Sequence, residues 1–160
     1  MTVIAATVYE GQIYMSADSA MTLDDHIVVA KHKKLRKTKD MLIGFAGNGA
    51  QCQELIDYDY PAKKPGQTGY DYVNRQVKPV VKEKESEDDF IECLIGIDNK
   101  LFSLVGGLIL EHDYYAIGSG FLLALGALYV NHTKTGPKQA VLAACLHNTT
   151  CQGPVFSLKL

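Results

Sequence analysis

Thr2 is the residue of this chain with the most chemistry open to it. Once Met1 is removed, one residue carries both a hydroxyl nucleophile and an α-amine. An α-amine, with an ordinary pKa of roughly 7.7–8.0, can accept a proton near neutrality where a lysine normally cannot. A threonine paired with its own N-terminal amine is a recognised activated nucleophile. A retained Met1 would instead acylate that nitrogen and delete the base. Asp18, Lys34, Gly47 and Ser119 are the residues placed to fold back onto it. A lysine held by an aspartate beside a nucleophilic hydroxyl favours the deprotonated oxygen. A glycine N–H at a helix start suits a developing oxyanion.

The elements that must position these groups begin with a hairpin. Residues Val3 to Tyr9 are β-branched and small-apolar, and Gln12 to Asp18 alternate with Ile13, Met15 and Ala17 on one face. Glu10-Gly11 between them is a two-residue turn. Pairing Tyr9 with Gln12 sets Val3 against Asp18, and a one-residue slip would turn every side chain to the other face. A third run, Ile27 to Arg36, is expected to bring in Lys34. Next, Met41 to Ala50 reads as an apolar strand entering a glycine-rich turn, then a short helix to Asp57. The spacing of Gly44, Gly47 and Gly49 fits neither the dinucleotide fingerprint nor the Gly-Lys-[Ser/Thr] ending of a phosphate loop. Close backbone approach at Gly47 is the better reading.

Composition narrows the function classes. The basic run from Lys31 to Lys39 could be a solvated face or a nucleic-acid patch. Yet the net charge is −2, the pI is about 6.2, and no aromatic residue interleaves the run. Nucleic acid is therefore not the expected partner. Phe121 to Val130 is apolar all round, which predicts a buried helix, but it is shorter than the roughly 20 residues of a membrane span. The five histidines show no zinc-like pairing, and none is assigned a catalytic role. Cys52, Cys93, Cys145 and Cys151 lack metal-finger spacing and read as reduced, buried thiols. Gly118-Ser119-Gly120 does not match the Gly-x-Ser-x-Gly elbow of a serine hydrolase; a strand-to-helix turn with Ser119 capping the helix is expected.

The motifs Thr2-Val3-Ile4, Ala17-Asp18 with Thr22-Leu23, Lys33-Lys34-Leu35-Arg36, Ile43-Gly-Phe-Ala-Gly47 and Ala116-Ile-Gly-Ser-Gly120 together resemble the proteasome β-subunit superfamily. Within it they are most similar to the bacterial HslV-type peptidases and their shorter phage-encoded relatives. The resemblance covers nearly the whole chain as one domain, residues 1–160. It implies an α+β fold: a four-layer αββα sandwich of two antiparallel sheets flanked by helices, the N-terminal nucleophile hydrolase fold. It also implies a threonine-type endopeptidase. Thr2 would be nucleophile and base, Asp18 and Lys34 would tune it, Gly47 N–H would hold the oxyanion, and Ser119 would sit by the Thr2 amine.

The resemblance further implies a substrate lying as an added strand on backbone groups around Thr22, Gly47 and Gly49. Met21, His32 and Phe45 would line the primary pocket. No cofactor is implied for the chemistry. A structural monovalent or divalent cation on the main-chain carbonyls of Cys145, Asn148 and Cys151 is a further expectation. The implied partners are unfolded polypeptides, further copies of the chain in stacked rings, and an ATPase unfoldase. A cytoplasmic setting is expected because no signal or transit pattern precedes Thr2. Two alternatives remain: a catalytically silent ring or scaffold subunit, and a small-molecule amidase of the same nucleophile class.

Two segments depart from the family pattern. The Asp-x-x-Ser of proteasome β-subunits falls on Asn148 and Cys151, and an asparagine lacks the aspartate's charge. Residues 57–89, with three prolines and an acidic run, are expected as a loop followed by a short helix near Tyr70 to Val81, limited by Pro79. The remainder reads as strands at Phe90 to Ile97 and Lys100 to Val105 joined at Asp98-Asn99, and a strand at Tyr114 to Ile117. A helix from Pro137 to His147, capped near Thr135 or Gly136, precedes a closing strand at Pro154 to Leu158.

Overall fold

A computed structural model describes residues 2–23, 26–29, 31–86 and 89–160; the side chains of 22–30 lie outside that description. The chain begins as the expected hairpin. Strands β1 (Ile4–Tyr9) and β2 (Gln12–Ala17) pair antiparallel with Tyr9 opposite Gln12 and Ile4 opposite Ala17. Glu10 and Gly11 adopt φ of 51° and 72°, the two positive values a type I′ turn requires. One step beyond the ladder, Asp18 N–H donates to the Val3 carbonyl at 3.1 Å. The register thus delivers Asp18 to the start of the chain.

The remaining strands are β3 (Ala20–Leu23), β4 (His26–Val29), β5 (Leu35–Lys37), β6 (Met41–Ala46), β7 (Glu92–Ile97), β8 (Lys100–Val105), β9 (Leu108–His112), β10 (Tyr114–Ile117) and β11 (Phe156–Lys159). They form a four-stranded sheet ordered β10-β1-β2-β11, a five-stranded sheet ordered β5-β6-β7-β8-β9, and a separate β3-β4 ribbon. The helices are α1 (Gly49–Asp57), α2 (Gly69–Tyr72), a π-helical segment (Val73–Val77), α3 (Lys78–Lys84), α4 (Phe121–Val130) and α5 (Gly136–His147).

Strand alternation explains the layers. Ile4, Ala6, Ile13, Met15 and Ala17 of the four-stranded sheet meet Leu42, Ala46, Leu94 and Leu101 of the five-stranded sheet, forming the central core. The opposite face of β6 and β7, with Met41, Ile43, Phe45, Cys93 and Ile95, packs on Cys52, Leu55 and Ile56 of α1 and on Val77 and Val81. The outer face of β1, with Val3 and Ala5, packs on Ala124 and Leu128 of α4 and on Ala140, Val141 and Ala144 of α5. Each central strand is therefore buried on both faces, as a four-layer αββα sandwich demands.

The run Ile27 to Arg36 spans two elements: β4 ends at Val29 in the ribbon, and β5 begins only at Leu35, in the other sheet. Two expectations are corrected. The apolar helix α4 is not buried by this chain. Its Ala124 and Leu128 face inward, while Leu122, Tyr129 and Val130 are 71, 73 and 83 % exposed, because nothing among the described residues covers that side. Ser119 does not cap α4, whose N-cap is Gly120 with no side-chain bond; its hydroxyl is turned toward Thr2 and Thr150 instead.

The helix expected near Tyr70 to Val81 is present and longer, running through α2, the π segment and α3. Lys78 N–H reaches back to the Val73 carbonyl, five residues earlier. Pro79, which lacks an N–H, then enters at the first turn of α3. The wider π turn just before it lets the helix pass the proline rather than stop there. Among the described residues no helix is long and apolar enough to cross a membrane.

Candidate active site

Asp18 is 0 % exposed and organises the site. Its Oδ1 accepts from Lys34 Nζ and from Val3 N–H, both at 2.9 Å. Its Oδ2 accepts from Ala20 N–H at 3.1 Å and Gln152 N–H at 3.4 Å. A buried carboxylate needs such donors to offset its desolvation. The consequence is positional: one carboxylate ties Lys34, at the entry to β5, to the residue that follows Thr2.

Thr2 is nearly buried and held from the other side by the turn after β10. Its carbonyl accepts from Gly120 N–H at 3.4 Å and lies 3.2 Å from Ser119 Oγ, and its nitrogen lies 3.3 Å from the same oxygen. The approach is close because residue 118 is glycine: with φ at +87°, a Cβ there would stand 2.3 Å from the Thr2 carbonyl oxygen. Ser119 Oγ also lies 2.9 Å from Thr150 Oγ1, which in turn donates to Asn148 Oδ1 at 2.6 Å. Asn148 Nδ2 returns to the Ser119 carbonyl at 3.0 Å. A continuous hydroxyl chain therefore runs from Asn148 through Thr150 and Ser119 to the Thr2 nitrogen.

Thr150 carries no catalytic signature in the sequence. Its only local signal is the Asn-x-Thr spacing, which here closes an Asx turn through a 2.9 Å bond from Thr150 N–H to Asn148 Oδ1. The neutral Asn148 places its amide where the resemblance expects a charge, and it holds both ends of this chain. Cys151 Sγ, at the expected serine position, lies 3.8 Å from Ser119 Oγ.

Thr2 opens onto a cavity of about 250 Å³ whose walls include Met21, His32, Lys34, Phe45, Gly47 and Gly49. The structure thus gathers every expected pocket residue except Thr22, whose backbone lies in β3 and whose side chain is outside the described residues. Met1 also lies outside them. Cys52 and Ile56 of α1 add to the walls, with Ala20, Lys33 and Asn48; the helical spacing of the first two marks them only as apolar positions. Gly47 has φ of +151°, and a Cβ there would stand 2.8 Å from the Phe90 carbonyl oxygen. Asn48 follows as N-cap of α1, its side chain accepting from Ala50 N–H at 3.1 Å, so the Gly47 turn is fixed from both sides.

With this geometry, comparison with solved structures is specific. Over 99 % of this chain and 97 % of the other, it superposes on the Thiobacillus denitrificans protein BPH with a TM-score of 0.80 at 22 % identity. BPH in complex with epoxomicin matches at 0.79 and 20 %, over 99 and 98 % of the two chains. Eukaryotic HslV from Trypanosoma brucei matches at 0.78 and 19 %, over 99 % of each. This is the proteasome-like fold of the N-terminal nucleophile hydrolases. No family model matches the sequence, and no curated protein matches it either.

Within this proteasome-like fold the other nucleophile candidates are poorly placed. Cys52 lines the cavity, but burial pushes its thiol up to about 11, so it stays protonated near neutrality. Burial likewise raises Cys93 well above its ordinary value and Cys145 to about 11. All four cysteines are free thiols; Cys52, Cys93 and Cys151 are buried and Cys145 half-buried. Ser103 Oγ lies 2.8 Å from His112 Nε2, a pairing that suggests a serine hydrolase, but Ser103 is 1 % exposed. No substrate could reach it.

Among the described residues no group of three or more His, Cys, Asp or Glu could hold a metal ion. A cation at the end of α5 would rest on main-chain carbonyls alone. The Asn148 carbonyl there already accepts from Cys151 N–H at 3.2 Å, which leaves it one lone pair.

Proposed function

We propose that the chain is a proteasome-like threonine endopeptidase with Thr2 as nucleophile. The observation that carries this reading is the convergence on Thr2 of three separate segments: Asp18 with Lys34, the Gly47 turn, and the hydroxyl chain ending at Ser119. With Met1 removed, Thr2 Oγ attacks the scissile carbonyl while the Thr2 amine takes the hydroxyl proton, directly or through a water near Ser119. The tetrahedral oxyanion is stabilised by Gly47 N–H. The leaving amine takes its proton from the Thr2 ammonium, leaving an ester on Oγ. Water, deprotonated by the same amine, attacks that ester and frees the enzyme. The Lys34 ammonium, oriented by Asp18, supplies positive charge that favours the alkoxide-like state and does not act as the base.

Met21 and Phe45 give the first cavity two apolar walls, with His32 beside them, so cleavage after apolar or aromatic residues is expected. Burying such a side chain is worth roughly 1.5–3 kcal/mol. A peptide-library profile dominated by cleavage after acidic or basic residues would contradict this assignment. The exposed apolar side of α4 supports assembly with further copies of the chain into rings, fed with unfolded polypeptide by an ATPase in the cytoplasm. A stable monomer in light scattering at micromolar concentration would shift weight to a small-molecule amidase. A cation on the carbonyls of Cys145, Asn148 and Cys151 would brace the turn bearing Thr150; no step of the reaction runs through it.

The experiment is substitution with a turnover readout. Thr2→Ala should abolish peptide hydrolysis with fold and assembly intact, Thr2→Ser should retain part of it, and Lys34→Ala should nearly abolish it. Thr2→Ala protein cleaving at the wild-type rate would overturn the reading and reopen the search for another nucleophile; wild-type protein that cleaves nothing would favour the silent scaffold.

A further inference from the structure

A second recess of about 430 Å³ shares Thr2 and Gly47 with the first and is otherwise bounded by different residues, among them Phe90, Glu92, Ser119 and Phe121. Its place in the reaction follows from the proton path. The leaving amine must collect its proton at the Thr2 nitrogen, which lies 3.3 Å from Ser119 Oγ, a wall of this recess. If the side chain before the scissile bond fills the Met21–Phe45 cavity, the residue after the bond lies here.

We propose that this recess binds a cationic side chain, Arg or Lys, of the residue following the scissile bond, with Glu92 as its counter-charge. The proposal rests on the threonine-peptidase reading. Glu92 opens β7, and its Oε2 accepts from Gly118 N–H at 2.6 Å. That bond fixes the carboxylate against the turn that holds Thr2. Among the described residues its Oε1 accepts no hydrogen bond and the group forms no ion pair, so the charge is available to a ligand.

The flanking walls match the same ligand. Phe90 is 71 % exposed and Phe121 36 %, and aromatic faces suit both a guanidinium plane and the aliphatic stem beneath it. Because Glu92 is half-buried, an ion pair formed here is screened less than one on open surface. The pocket is thus acidic at one point and aromatic around it, complementary to arginine above all.

The test uses peptides identical except for Arg, Ala or Glu after the scissile residue, with wild-type protein and Glu92→Gln. Glutamine keeps an acceptor for Gly118 N–H and deletes only the charge. The readout is the ratio of kcat/KM for the Arg peptide to that for the Ala peptide. It should be about tenfold or more in the wild type, the range of a hydrogen bond to a charged group, and fall to near one in Glu92→Gln. Equal ratios in the two proteins, or a wild type that takes Glu as readily as Arg, would overturn the proposal while leaving the peptidase reading intact.

A second arm needs no turnover. L-Argininamide should shift the amide resonances of Gly118 and Ser119 in the wild type and not in Glu92→Gln; equal behaviour in both would also overturn the proposal. Argininamide binding in a protein that cleaves no peptide would instead defeat the peptidase reading, and with it the placement of the cation after the scissile bond.

Discussion

Asp18→Asn changes one oxygen for an NH₂, yet the geometry predicts a large loss of stability. The carboxylate accepts four bonds in a site without solvent: two at Oδ1, from Lys34 Nζ and Val3 N–H, and two at Oδ2, from Ala20 and Gln152 N–H. An asparagine has one accepting oxygen. Whichever way the amide is turned, its NH₂ faces two donors, and those donors lose their partner. Each orphaned buried donor costs about 1–3 kcal/mol, and removing one member of a buried ion pair costs about 3–5 kcal/mol in measured cases. We expect a loss of about 4 kcal/mol, since the weakest of the four bonds contributes least.

At about 2–4 °C per kcal/mol for a chain of this size, that is a fall in Tm of roughly 8–16 °C. Urea unfolding at fixed protein concentration, with thermal unfolding alongside, provides the assay. Made in a Lys34→Met background, the same substitution should cost about 1–3 kcal/mol less, because the ion-pair part is already gone. A loss below about 1 kcal/mol, or strict additivity of the two substitutions, would refute the view that Asp18 is a fully engaged buried anion.

Three further outcomes are expected. Thr150→Val, which removes only the hydroxyl between Asn148 and Ser119, should lower kcat about tenfold with little change in KM, and Thr150→Ser should restore most of it. Gly47→Ala should destabilise the fold by about 1–3 kcal/mol, read in urea unfolding, because its φ of +151° and the Phe90 carbonyl 2.8 Å from the added Cβ both oppose a side chain. Burial lowers the pKa of His112, so the folded state prefers the neutral imidazole and the unfolded state binds more protons as pH falls through the ordinary value near 6.5. Its contribution is therefore present above that pH and lost below it, and unfolding curves for wild type and His112→Gln should converge as the solution is acidified.

What the sequence disclosed was what local rules govern. A two-residue turn containing glycine sets one register, and that register alone brings Asp18 to Val3 and hence to Thr2. The alternation of β6 likewise separates Phe45, facing α1, from Leu42 and Ala46, facing the other sheet. Thr150 was not legible, because its role depends on a loop that meets the Ser119 turn from far along the chain. Glu92 was hidden for the same reason: a charged residue opening a strand gains meaning only from the Gly118 N–H across from it. The break between β4 and β5 was obscured because no proline or glycine stands between Val29 and Leu35 to mark it, and the exposure of α4 by a composition that is apolar on every side.

The central claim is that the hydroxyl and amine of one residue, Thr2, perform the chemistry together. A peptide epoxyketone tests this directly, since it offers a ketone carbon to the hydroxyl and an epoxide carbon to the amine. Mass spectrometry of the treated protein should find one inhibitor per chain, mapped to a peptide that begins at Thr2, lacks Met1, and is unmodified in Thr2→Ala. An untouched N-terminus, or an adduct on Cys52 in the same cavity, would contradict the account.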